Sequence, residues 1–325
     1  MKGVILVENS FVHPYMPNSV PENKKAMLDE LGINSVEDIY KSIIPDELLY
    51  KERLDIPEPI RSEYELKRHV MGILNRDITT EEYTSFLGAG CYKHQVPAIC
   101  DEINSRGEFL TAYCGDTYSD HGKMQAIFEY TSMMGELLDT DVVSYTTYDG
   151  GQAVASSLRM AVRAVREKGM AGKVILVPKT MNPEIYSQVV QYCRNVAEVR
   201  KIAYEPETGL MDLEELKEQL AKKNVAAVFF ENPTYLGNFE TRGEEIAKLA
   251  HDAGAYCVVQ TEVAALGIME SPVNQGADIV CGDIQPLGMH IQFGGGQAGF
   301  IACNQNMDLV EQFPTYMYGI TETEK

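Results

Sequence analysis

The sequence has little of what would mark a stapled miniature domain, a metal centre or a membrane span. Its seven cysteines form no C-x-x-C pair and keep no regular spacing, which argues against a zinc site or a disulfide framework and fits reduced thiols in a cytoplasmic protein. No stretch approaches the roughly 18 consecutive apolar residues of a spanning helix. The opening MKGVILVENS reaches Glu8 too soon for a secretory signal. Positive charge is scarce: 28 Lys and Arg face 48 Asp and Glu, a formal net charge of −20. Nucleic-acid backbones and anionic membrane surfaces are therefore repelled before any specific contact forms. Gly88-Ala89-Gly90 runs into Cys91, Tyr92 and Lys93, so the G-x-G-x-x-G turn of a nicotinamide enzyme is missing. No internal repeat or low-complexity tract is visible.

What is present is a chain of 325 residues with 45% hydrophobic content, enough for a principal domain with appendages. Residues 1–85 read as a helical N-terminal arm. Asn18 or Ser19 is placed to cap PENKKAMLDELG, Ser35 to cap VEDIYKSI and Ser62 to cap EYELKRHVMGIL, while Pro57 and Pro59 interrupt the segment. Residues 86–303 read as a large α/β domain. From about residue 125, helical spacing alternates with short apolar runs: strands are expected at 142–146, 173–177, 196–203, 226–230, 256–260 and 279–281, with helices between them. That alternation predicts a mostly parallel sheet with helices on both faces.

Loops at the carboxyl ends of such strands are where sites form. Four of them are rich in Gly, Asn, Pro and aromatic residues: 148–153, 231–237, 261–263 and 282–288. Gly150 and Gly151 precede a long helix whose free N–H groups suit a phosphate, although Asp149 also suits a plain N-cap. Asn232-Pro233 ends a strand in a sharp turn, with a cofactor contact as its other reading.

Several segments, in order, resemble subunit 1 of glycine dehydrogenase (decarboxylating), the N-terminal half of the glycine cleavage system P-protein. They are FLGAGCYKHQVPAICDEINSRGEFLTAY (86–113), QAIFEYTSMMGELLDTDV (125–142), YDGGQA (148–153), ENPTYLGNFE (231–240) and ADIVCGDIQPLGMHIQFGGGQAGFIA (277–302). The resemblance implies a fold-type I pyridoxal-phosphate (PLP) transferase-like domain over 86–303. It also implies that 304–325 begins a C-terminal segment, truncated relative to the family. The chemistry of such an enzyme needs a lysine to hold the cofactor, and between Lys248 and Lys325 there is none. Gln285-Pro286-Leu287-Gly288 stands where that lysine is sought, and Glu262 stands near the place of a pyridine-pairing aspartate. The resemblance thus implies pyridoxal phosphate held by a lysine-bearing subunit 2 in a heterotetramer, a small amino-acid substrate, and a lipoylated H-protein receiving the aminomethyl group. Tyr92, His94 and Tyr113 lie in the matching segments, where closing the substrate pocket and packing a subunit interface are both open roles.

The chain departs from the family at 114–122, where CGDTYSDHG replaces a proline- and glutamate-containing run, at Lys93, and at FGGGQAGF (293–300). Two further functions therefore stand beside the glycine decarboxylase subunit: a diverged paralogue acting on another amino acid, and a non-catalytic regulatory or scaffold subunit.

Overall fold

The computed structural model describes residues 12–50, 52, 54–86, 92–107, 121–170, 172–292 and 296–319. The chain divides into two compact units, Met1–Ile78 and Thr79–Lys325. In the first, helices α1 (Pro21–Leu31), α2 (Glu37–Lys41) and α3 (Glu63–Leu74) form as the spacing predicts. Ser62 caps α3 by accepting from the Glu65 N–H at 3.3 Å. The other two expected caps are not used. Pro21 sits in the first turn of α1, where its missing N–H costs nothing, and no side chain caps that helix. Ahead of α2, Asp38 reaches back to accept from the Asn34 and Ser35 N–H groups, so a carboxylate inside the helix ties down the entering chain, and no side chain caps the helix itself. No residue of α1, α2 or α3 is buried.

The second unit carries α4 (Ala98–Asn104), α5 (His121–Leu138), α6 (Gly150–Glu167), α7 (Pro183–Cys193), α8 (Leu213–Leu220), α9 (Gly243–Asp252) and α10 (Met307–Val310) around a seven-stranded sheet. The strands are β1 (Val142–Val143), β2 (Val174–Pro178), β3 (Glu198–Ile202), β4 (Val225–Asn232), β5 (Tyr256–Thr261), β6 (Ile279–Asp283) and β7 (Gly299–Cys303), in the order β1-β7-β6-β5-β4-β2-β3. Pairing is parallel from β3 through β6, and β7 lies antiparallel between β6 and β1. The expected strands and the parallel core are present. Strand β7 was not among those expected, because the glycine run before it masks its short apolar stretch. No helix among the described residues is long and apolar enough to cross a membrane.

Alternation of side chains along the strands builds a core on each face of the sheet. Val174 and Leu176 of β2 join Val228 of β4, Leu216 of α8 and Ile246 of α9 on one face. Ile175 and Val177 join Phe229, Val258 and the inner side of α6 on the other. Burying each such side chain contributes on the order of 1.5–3 kcal/mol. Helix α6 is held so closely because its inward positions are small: Ala153, Ala155, Ala161 and Ala164 are fully buried. It stops where Gly169 turns with φ +75°, a conformation that favours glycine. At the end of the sheet, β3 pairs, among the described residues, only with β2 and reads Glu-Val-Arg-Lys-Ile, with Glu198 and Lys201 exposed.

Candidate functional site

The carboxyl ends of the parallel strands and the N-termini of α6 and α7 meet at a cavity of about 150 Å³. Strand β4 delivers Glu231, β5 delivers Gln260 and leads into Glu262, and β6 delivers Asp283. Asp149 and Gly150 enter from the start of α6. Glu184 and Gln188 enter from α7. Among the described residues that line this cavity there is no lysine, arginine or histidine.

The carboxylates differ in how they are held. Glu231 is 5% exposed. Its two carboxyl oxygens accept from the Asn182 N–H at 3.2 and 3.3 Å, and the Tyr235 N–H also donates to it. Burial pushes this carboxyl up to about 7, against the pull of those backbone donors. Asp283 accepts from the Gln285 N–H at 2.7 Å and from the Gly150 N–H at 3.0 Å. Burial raises its pKa as well, and the neighbouring Asp149 adds to the rise. Glu262 caps the short turn Val263–Gly267 through the Ala264 N–H. It is likewise raised by burial and by Asp283, with His94 acting in the opposite sense. Gln260 adds a buried Oε1 without a hydrogen-bond partner among the described residues.

The start of α6 is the feature from which a phosphate site was expected. Asp149 takes the plain N-cap role, accepting from the Gln152 N–H at 2.6 Å. The Gly150 N–H is directed at Asp283. A Cβ on Gly150 would lie 3.0 Å from the Asp283 Cβ and 3.1 Å from its backbone nitrogen, so strand β6 is packed against the helix start.

The residues singled out from sequence are only partly brought together. Tyr92, Gly150 and Gly151 line the cavity. His94 does not line it. Its Nδ1 lies 2.7 Å from the Tyr92 carbonyl oxygen and its Nε2 lies 2.6 Å from that of Met289. The ring pins the Tyr92–His94 segment to the turn that follows β6. The Asn232 side chain does not line the cavity and is engaged with Glu240: its amide donates to the Glu240 carbonyl at 3.3 Å and accepts from the Glu240 N–H at 3.2 Å. Tyr113 lies outside the described residues, as do 114–120, Gly294 and Gly295. Sequence reasoning passed over Glu231 and Asp283. The available signal was a carboxylate directly after an apolar strand run, as in VFFEN and IVCGD. No group of three or more potential metal ligands occurs among the described residues.

Comparison with known proteins gives this geometry a context. The family model described as glycine cleavage system P-protein matches residues 13–325. A Staphylothermus marinus protein named probable glycine dehydrogenase (decarboxylating) subunit 1 is 35% identical over 322 residues, covering 96% of this chain and 66% of the relative. A Pyrococcus horikoshii protein of the same name is 38% identical over 310 residues, covering 95% and 67%. This chain thus spans about two thirds of the length of the curated relatives it matches. A crystal structure of glycine decarboxylase (P-protein) of the glycine cleavage system, in inhibitor-bound form, superposes with a TM-score of 0.74 at 32% identity, covering 94% of this chain and 65% of that one. Oryza sativa TDC with PLP and tryptamine, at a TM-score of 0.56 and 14% identity over 93% of this chain and 69% of that one, shares the fold alone. The architecture is that of the fold-type I PLP-dependent enzymes, and the chain belongs to the glycine cleavage system P-protein family.

Proposed function

We propose that this chain is the non-lysine-bearing subunit of a PLP-dependent glycine decarboxylase, active only with a second, lysine-bearing subunit and passing an aminomethyl group to a lipoylated H-protein in the cytoplasm. The observation that carries the division of labour is the misfit between the cavity and the cofactor. Pyridoxal phosphate brings an aldehyde that must meet an amine and a phosphate that must meet donors. Among the described residues no lysine lines the cavity, its lining carboxylates include Asp149, Glu231, Glu262 and Asp283, and the Gly150 N–H already donates to Asp283. The cavity therefore does not suit the cofactor. What these residues do instead is tie Asp283 at the end of β6 to the start of α6 and Glu231 at the end of β4 to the start of α7, while Tyr92 lies at the wall of a pocket that the partner would complete.

The test is reconstitution. The purified chain mixed with pyridoxal phosphate and borohydride is expected to show only scattered labelling of surface amines, with no stoichiometric label at a single lysine, and labelled bicarbonate is expected to exchange into glycine only with both subunits and H-protein present. Stoichiometric label fixed to one lysine of this chain would overturn the assignment. The altered run at 114–122 favours one second reading, a paralogue with a different amino-acid substrate. It predicts that the two-subunit assembly changes its cofactor absorbance with another amino acid and not with glycine.

A further inference from the structure

We infer that Asp283 is a built-in substitute for phosphate, a specificity-determining residue that closes the N-terminus of α6 to external anions. An α-helix presents free N–H groups and a partial positive charge at its start, which is where a phosphate is ordinarily received. Three N–H groups of the first turn have no helical partner, those of Gly150, Gly151 and Gln152, and two of them are taken by the chain's own carboxylates. The Gln152 N–H donates to Asp149 at 2.6 Å, a local contact three residues back. The Gly150 N–H donates to Asp283 at 3.0 Å, from a residue 133 positions away at the end of β6. That second contact is not a capping habit of the helix. It exists because the fold brings the fifth parallel strand to the helix start and the sequence puts an acid there.

Three features make the closure effective. Asp283 is fastened on its far side by the Gln285 N–H at 2.7 Å, with Ala298 as a further backbone donor, so it does not swing aside. The backbone of β6 stands 3.1 Å from where a Cβ of Gly150 would be, so strand and helix start are in direct contact and the Asp283 carboxylate is held beside the Gly150 N–H. Asp149 and Glu262 add negative charge at the same place, so an arriving phosphate meets repulsion as well as filled donors. The inference concerns the chain's own residues and holds whatever reaction the assembled enzyme performs.

Replacing Asp283 tests it with inorganic phosphate as the probe. In D283S and D283G the Gly150 N–H loses its acceptor and the space opens, so inorganic phosphate is expected to raise Tm saturably by roughly 2 °C or more relative to sodium chloride of equal ionic strength. The parent chain should show no saturable response. A parent that responds with the same midpoint as the variants would overturn the inference, as would a folded variant that ignores phosphate. Should neither variant fold, nuclear magnetic resonance of the parent decides. The Gly150 amide is expected to shift in step with the titration of the Asp283 carboxyl carbon, and a Gly150 amide that does not follow it would overturn the inference.

Discussion

Replacing Glu231 by Gln gives a direct measure of what a carboxylate costs inside this sheet. The native carboxyl is 5% exposed, receives only backbone N–H donors, and is pushed from 4.5 up to about 7 by burial. A tenfold change in proton affinity is worth ~1.4 kcal/mol, so the displacement corresponds to roughly 3 kcal/mol of stability. Its sign follows from proton counting. Between pH 4.5 and about 7 the unfolded chain has released this proton while the folded chain still holds it. Stability contributed by this group is therefore full below the lower value and is lost as pH rises through the upper one. Glutamine keeps an acceptor for the Asn182 and Tyr235 N–H groups but does not titrate. The stability of E231Q minus that of the parent should thus rise by roughly 3 kcal/mol from pH 4.5 to pH 8. The chain has no tryptophan, so urea unfolding is best followed by far-ultraviolet circular dichroism across that range. A difference that stays flat with pH, or that falls as pH rises, would refute the reasoning, because it would mean that the native carboxyl is ionised at little cost.

Other substitutions probe the frame around the cavity. In G282A the new Cβ runs into the Thr261 carbonyl oxygen of the neighbouring strand and meets the Phe300 ring at 2.9 Å. Overpacking against backbone should lower stability by about 1–3 kcal/mol, read from the urea midpoint, and an unchanged midpoint would contradict the packing of β5 on β6. Asp212 caps α8 by accepting from the Glu214 and Glu215 N–H groups at 2.9 and 3.1 Å. D212A should cost ~1 kcal/mol, and an equally stable variant would show that the cap is not needed. H94A should release the Tyr92–His94 segment from the turn after β6, speeding amide exchange at Gln285–Met289 with a loss of about 1 kcal/mol. Unchanged exchange there would remove the clamp from the account.

Much of the frame is legible in the sequence because its signals are local. The apolar runs VILVP and VAAVFFEN are too short for buried helices and are bounded by polar turns, and they become β2 and β4. The helix start at Asp149 is legible for the same reason, since the acid and the N–H it accepts from lie three residues apart. Pro21 at the head of α1 shows the limit of cap reading, because a helix that starts at this proline puts Val20, which has no side-chain acceptor, at the cap position in place of Asn18 or Ser19. The cavity is half legible. Loops at 148–153, 231–237, 261–263 and 282–288 do gather as strand order demands. The meeting of Asp283 with Gly150 is not written in any window of sequence, because it depends on which strand the helix packs beside. Asn232 illustrates the converse: a residue placed at the right strand end has both of its amide atoms occupied by Glu240.

Strand β3 has a consequence for how copies of this protein keep apart. A border strand that bonds on one side only offers a row of spare amides and carbonyls to any other extended chain. Among the described residues β3 is such a border, and it bears one acid and two bases, with Arg200 tied to Glu198 at 2.9 Å and the Lys201 ammonium resting 3.8 Å from the centre of the Tyr186 ring. Lining up a second such border would force like charges together and strip water from them, so the margin discourages ribbon-like self-stacking.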